Sequence, residues 1–235
     1  MKFYKNQEIE DLAESRLNEL GHPLSPPIPI NLLAEKVLGL DFLWDDIKEL
    51  PGEKIFGGLQ PKKRLIVLNE RHTDLFKEKP GLERSTIGHE MGHWDLFINE
   101  SMLNHPSLFK ERDNDSFAYR SANVGEVEVI KKLISCQKGI DLLHQIQSKA
   151  DDPDEARSVN CYAACLSMPK EMICMEALKI DRTKWPNLYK LAEKFEVTIS
   201  AMTVRLQQLN LLHINKDKKL FESKEAGYGQ TSLGI

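Results

Sequence analysis

The chain has 235 residues, 41% of them hydrophobic, and 32 Lys+Arg against 36 Asp+Glu give it a net charge of −4. This composition supplies a core and excludes disordered and collagen-like chains, and its mild acidity argues against a nucleic-acid binder, which usually carries a strongly basic face. No apolar run approaches the roughly 18 residues of a bilayer span, and Met-Lys-Phe-Tyr-Lys-Asn-Gln-Glu lacks a signal-peptide core, so a cytoplasmic protein with no membrane partner is expected.

Residues 8 to 20 place Ile9, Leu12, Ala13, Leu17 and Leu20 on one helical face, and Gly21-His22-Pro23 ends the pattern. Pro23 to Pro29 reads as a linker. Ile30, Leu33, Ala34, Val37 and Leu38 then predict a second short helix that stops at Gly39. Beyond Leu40 the period changes. Asp41 to Trp44, Lys54 to Gln60 and Arg64 to Asn69 are short apolar runs between turn residues, and they predict two or three strands of a small antiparallel sheet. Residues 70 to 80 read as irregular, and Pro80-Gly81 opens a helix over about 82 to 98. After Asn99 the pattern is mixed, with helical periodicity around Val127 to Ile134 and Ile140 to Ile146.

Two helices, over about 154 to 167 and from Lys170 to about Leu178, flank Met168-Pro169. The segment LYKLAEKFEVTISAMTVRLQQLNLL predicts two more, joined by a turn at Glu196 to Thr198. The expected class is α+β and helix-rich. The expected organisation is a core over 1–169 in which 100–152 is an insertion or lid, a helix-turn-helix-like unit over 170–213, and a tail over 214–235 with a strand at best. The four cysteines, Cys136, Cys161, Cys165 and Cys174, form no C-x-x-C pair and read as buried thiols.

The chemistry lies in His89-Glu90-Met91-Gly92-His93, an H-E-x-x-H sequence inside a helical pattern. Residues four apart share a helix face, so His89 and His93 can bind one Zn²⁺, while Glu90, about 100° around the helix, is placed as general base toward a water. Ile87, Leu96 and Phe97 mark the helix as buried, and a buried histidine pair without a partner is costly. The other reading is two surface histidines on an ordinary helix.

The run STIGHEMGHWDLF, preceded by FGGL and RLIVLNE and followed by NCYAACLSMPKEM, resembles the ImmA/IrrE family of zinc metallo-endopeptidases. The resemblance extends to NLLAEKVLGL and LAEKFEVTISAMTVRLQQLNL, and so to most of the chain outside about 100–152 and the tail. It implies a minimal zincin-like core of gluzincin type followed by a helix-turn-helix-like unit. It also implies one zinc per chain and site-limited cytoplasmic cleavage of a protein substrate, a helix-turn-helix repressor of a mobile element or stress response. The family usually has a glutamate four residues before the asparagine matching Asn160, where this chain has Ala156. A catalytic zinc needs three protein ligands and one open position. Glu155 is taken as the third, with Asp152 and Asp154 as alternatives, and the DDPDE run also reads simply as charge at a helix N-terminus.

Tyr162, Arg157 and His105 are candidates for stabilising an oxyanion, and the strand Arg64 to Asn69 could offer its edge to an extended substrate. Two other functions compete. A DNA-binding regulator would use residues 188 to 212, although Arg205 is the lone basic residue on the second helix there. A degenerate peptidase, motivated by Ala156, would bind a repressor or antitoxin-like partner without cutting it.

Overall fold

The computed structural model describes residues 4–21, 23–49, 53–100, 103, 118–123 and 153–227. The fold is helix-rich α+β with a small mixed sheet, and it divides into two compact units. The first comprises Met1–Pro23 and Pro29–Leu166, the second Leu24–Ile28 and Ser167–Ile235. Among the described residues no helix is long and apolar enough to cross a membrane.

The first unit begins with α1 (Asn6–Glu19), which buries Ile9, Ala13 and Leu17 at helical spacing; Glu8 accepts from the Lys5 N–H across its first turn. Helix α2 (Ile30–Lys36) buries Ile30, Leu33 and Ala34, and Gly39 at φ 62° turns the chain into β1 (Asp41–Asp45). Strands β2 (Glu53–Gln60) and β3 (Leu65–Asn69) form a hairpin through a 3₁₀ turn at Pro61–Lys63, with Arg64 left-handed at φ 52°. The strand order is β1-β3-β2-β4, where β4 is Ala118–Asn123.

The sheet is mixed rather than antiparallel: β1 runs parallel to β3, while β2 runs antiparallel to β3 and β4. The hairpin fixes β2 on one side of β3, so β1 adds to the other side in the same direction as β3. Two expectations change as a result. Strand β3 has neighbours on both sides and offers no edge to a substrate. And β4 comes from the 100–152 stretch read as insertion or lid, so this part of it belongs to the core sheet.

One face of the sheet lies against α4 (Pro80–Phe97). At Gly57 of β2 a Cβ would sit 3.0 Å from Thr86 Cγ2 of α4 and 2.8 Å from the Val67 carbonyl, so only glycine allows this approach. The other face carries a cluster of Ile47, Ile55 and Val67 with Leu65. Buried Asn69 donates to the Ile47 and Ile55 carbonyls, and Glu49 Oε1 lies 2.6 Å from both the Ile55 nitrogen and His72 Nε2. Residues 70 to 80, expected to be irregular, form a 3₁₀ turn at Glu70–His72 and α3 (Thr73–Glu78). Their charges mask a single fully buried anchor, Phe76, and Asn69 caps the turn by accepting from the Arg71 N–H.

In the second unit, α6 (Lys170–Ala177) is followed by α7 (Trp185–Lys194) and α8 (Ile199–Gln208). The turn between α7 and α8 contains Glu196 at φ 49°, and Thr198 caps α8 by accepting from the Ala201 N–H. Leu188, Leu191, Ile199, Met202 and Leu206 fill the interior. The segment read as a tail forms two paired strands, β5 (His213–Ile214) and β6 (Leu220–Phe221), and a short helix, α9 (Lys224–Gly227). Asn215 Oδ1 accepts from the Asp217 and Lys219 N–H groups and closes that turn. Cys161 and Cys165 are buried thiols as expected, Cys174 is half-buried, and Cys136 lies outside the described residues.

Candidate metal centre

Helix α4 starts on Pro80, whose missing N–H costs nothing in the first turn. From Thr86 to Trp94 every residue is buried, so the helix is covered all round rather than amphipathic. Two glycines at i,i+4 spacing make this possible. A Cβ at Gly88 would lie 3.0 Å from Ala163 Cβ, and one at Gly92 would lie 3.0 Å from Val159 Cα. Both contacts are with α5 (Pro153–Ser167), whose Val159 and Ala163 are themselves four apart. The backbones of α4 and α5 therefore approach closely, and polar side chains of α5 reach the histidines of α4.

His89, Glu90 and His93 are 2%, 0% and 5% exposed. His89 Nδ1 lies 3.1 Å from Asn160 Oδ1, and His93 Nδ1 lies 3.0 Å from Glu155 Oε1. Both oxygens are acceptors, so each Nδ1 carries the proton. The two Nε2 atoms face each other at 3.1 Å. Two imidazole lone pairs turned toward each other at that distance repel unless a positive charge, a proton or a metal ion, lies between them. Nitrogens bound to one zinc at about 2.0–2.1 Å can be no more than about 4.2 Å apart, and the pair falls within that limit.

Glu155 is brought to the site but not to the place expected of a third ligand. Its carboxylate is at His93 Nδ1, across the ring from the Nε2 that faces His89. The helical pitch explains this. Asn160 points at His89, and the residue one turn before it is Ala156, buried at 2% exposure, so Glu155 is about 100° off that line and meets the far side of His93. Asp154 is exposed, and Asp152 and His105 lie outside the described residues. Among the described residues no group of three His, Cys, Asp or Glu side chains forms a metal-holding set.

Tyr162 is not available to an oxyanion. It is fully buried and its hydroxyl donates to Asp95 Oδ2 at 2.6 Å; burial and the Asp95 carboxylate raise its pKa far above the ordinary tyrosine range. Asp95, two residues after His93, also receives a two-pronged ion pair from Arg16 of α1 at 2.7 and 2.9 Å, which raises the arginine pKa further. This network ties α1, α4 and α5 together. Arg157 is exposed.

Sequence reading missed the roles of Asn160, Asp95 and the two glycines. The glycines carried a usable signal, since Gly88 and Gly92 repeat at the spacing of Val159 and Ala163. Asn160 was marked by the resemblance alone, and Asp95 by nothing, because their contacts depend on which helix lies opposite.

No protein-family model matches the chain. No curated protein matches it. Among solved structures it is similar to a Mycobacterium tuberculosis transcriptional regulator at 12% identity and a TM-score of 0.45, over 92% of this chain and 54% of that one. The chain thus spans about half the length of that neighbour, and a likeness this slight carries no argument about either fold or activity.

Proposed function

We propose that the protein is an intracellular zinc-dependent endopeptidase of the ImmA/IrrE type, with a zincin-like core, that makes site-limited cuts in a protein substrate such as a helix-turn-helix repressor. The observation that carries this reading is the buried pair of histidine Nε2 atoms, 3.1 Å apart, with Glu90 on the same helix. His89 and His93 would hold the ion. Bound there, it would supply Lewis acidity, polarising a carbonyl and easing the loss of a proton from water. Glu90 would accept that proton and return it to the leaving amine. Asn160 and Glu155 hold the imidazoles in the Nδ1–H tautomer and in orientation, as acceptors behind a metal-bound histidine commonly do.

The test compares wild type with Glu90→Gln after zinc loading. Each is incubated with a proteome-derived peptide library, and new amino termini are identified by mass spectrometry. A defined set of cuts made by wild type and missing from the variant supports the reading; identical products, or none from either, overturn it.

The degenerate, binding-only reading is favoured by one observation, Ala156 in the place of the family's third ligand. Under it, wild type binds zinc weakly, and Ala156→Glu raises zinc affinity. The DNA-binding reading loses its main residue. Arg205 is 1% exposed and its Nε donates to the Met168 carbonyl at 3.0 Å, so its guanidinium is fixed inside the second unit rather than presented to phosphate.

A further inference from the structure

Among the described residues, β1 is an edge strand of the sheet, on the side opposite β4. The Asp41 N–H bonds to the Arg64 carbonyl, toward β3, so by strand alternation the backbone groups of Phe42 and Trp44 point the other way. The outward stretch is short. On one side Leu40 N–H is bound to the Ala34 carbonyl of α2, and on the other Asp46 N–H is bound to Asp45 Oδ1. Between them lie Leu43 and Trp44, exposed at 42% and 41%, two large apolar side chains on opposite faces of the strand.

Natural edge strands are usually blunted by charge, and here Asp41 and Asp45 flank Leu43 on one face of the strand. That pattern selects among possible occupants. A second copy of the strand, paired antiparallel about Leu43, would set Asp41 against the other copy's Asp45 twice, and like charges directly opposite are destabilising. A strand with the opposite pattern, a cation, an apolar residue and a cation at alternate positions, would set a cation opposite each aspartate and an apolar side chain opposite Leu43. In antiparallel addition those three positions are the non-hydrogen-bonded ones, where facing side chains come closest.

We infer that the β1 edge is a docking site for an extended, cationic segment of a partner protein, with the pattern Lys/Arg-x-apolar-x-Lys/Arg, which adds as a further strand through the backbone of Phe42 and Trp44. The inference is independent of metal chemistry and holds whether or not the chain cleaves anything. The partner is recognised by charge and strand pattern, and the edge rejects a second copy of this chain by the same rule.

The test uses the full chain, ¹⁵N-labelled, with two synthetic peptides, acetyl-Thr-Lys-Val-Leu-Val-Lys-Thr-amide and its counterpart with Glu in place of both Lys. The lysine peptide is expected to slow hydrogen exchange at the Phe42 and Trp44 amides and to bind at least about tenfold more tightly than the glutamate peptide. In the double variant Asp41→Lys, Asp45→Lys the preference reverses, and binding of the glutamate peptide reports that the variant is folded. Equal binding of the two peptides to wild type, no binding of either, or protection elsewhere than Phe42 and Trp44 overturns the inference. These readouts concern wild type alone, so they decide the matter even if the variant does not fold, and none of them moves if the peptidase reading fails.

Discussion

Two regions of the molecule contain buried polar side chains on helices that the sequence marks as functional, and they behave oppositely. On α4, His89 and His93 are satisfied at one ring nitrogen each by α5, and that leaves the two Nε2 atoms aimed at one another. On α8, the buried Arg205 donates from Nε to the Met168 carbonyl, and Thr203 donates its hydroxyl to the Ser200 carbonyl. A buried polar group whose partners still leave an atom pointing at another such atom defines a place for a ligand. One that terminates on backbone holds the fold together.

The contrast is broken most strongly by substituting one residue from each region. His93→Ala should abolish tight zinc binding while leaving the second unit unchanged, whereas Arg205→Met should leave zinc binding intact and cost about 1.5–3 kcal/mol of stability, the worth of a charged hydrogen bond. Zinc titration and chemical denaturation of both variants check this. Gly92→Ala comes next. Its Cβ would meet Val159 at 3.0 Å, forcing α5 away from α4, so the variant should lose about 1–3 kcal/mol and most of its zinc affinity together.

Glu155→Ala sharpens the assignment of that residue. Removing an acceptor behind His93 should weaken zinc binding about 10–100-fold while leaving one ion per chain, and competition with a chromophoric chelator measures both quantities. In the second unit Thr198→Ala should cost only about 1 kcal/mol by removing the cap of α8, with zinc binding unaffected. The smallest effect concerns pH. Asp181 is held down to about 2 by hydrogen bonds from Thr183 and Lys184. Its folded pKa is below its unfolded value, so its contribution is complete above about 4 and is lost as pH falls toward about 2. An NMR titration of the Asp181 carboxyl checks the direction.

How much the sequence disclosed follows from the range over which each signal acts. The H-E-x-x-H helix, α1, α7 and α8 were legible because apolar spacing within one segment determines them. The parallel pairing of β1 with β3 was not, since the strand runs carry no mark of direction. Strand β4 was missed because AYRSAN has little apolar alternation, and α3 because its charges surround a single buried phenylalanine. Glu155 was legible as a site residue but not in its position. A carboxylate one residue from the helical line to Asn160 reaches His93 from behind, and only the packing of α5 on Gly88 and Gly92 reveals which ring nitrogen it meets.

The central claim is that His89 and His93 share one metal ion through Nε2. Long-range ¹H–¹⁵N NMR of the histidine rings during a zinc titration tests it most directly. The account predicts that the Nε2 resonances of both residues move together, reaching an end point at about one equivalent, while both Nδ1 atoms keep their protons. Resonances that zinc leaves unchanged, or a shift at Nδ1 instead, would contradict it.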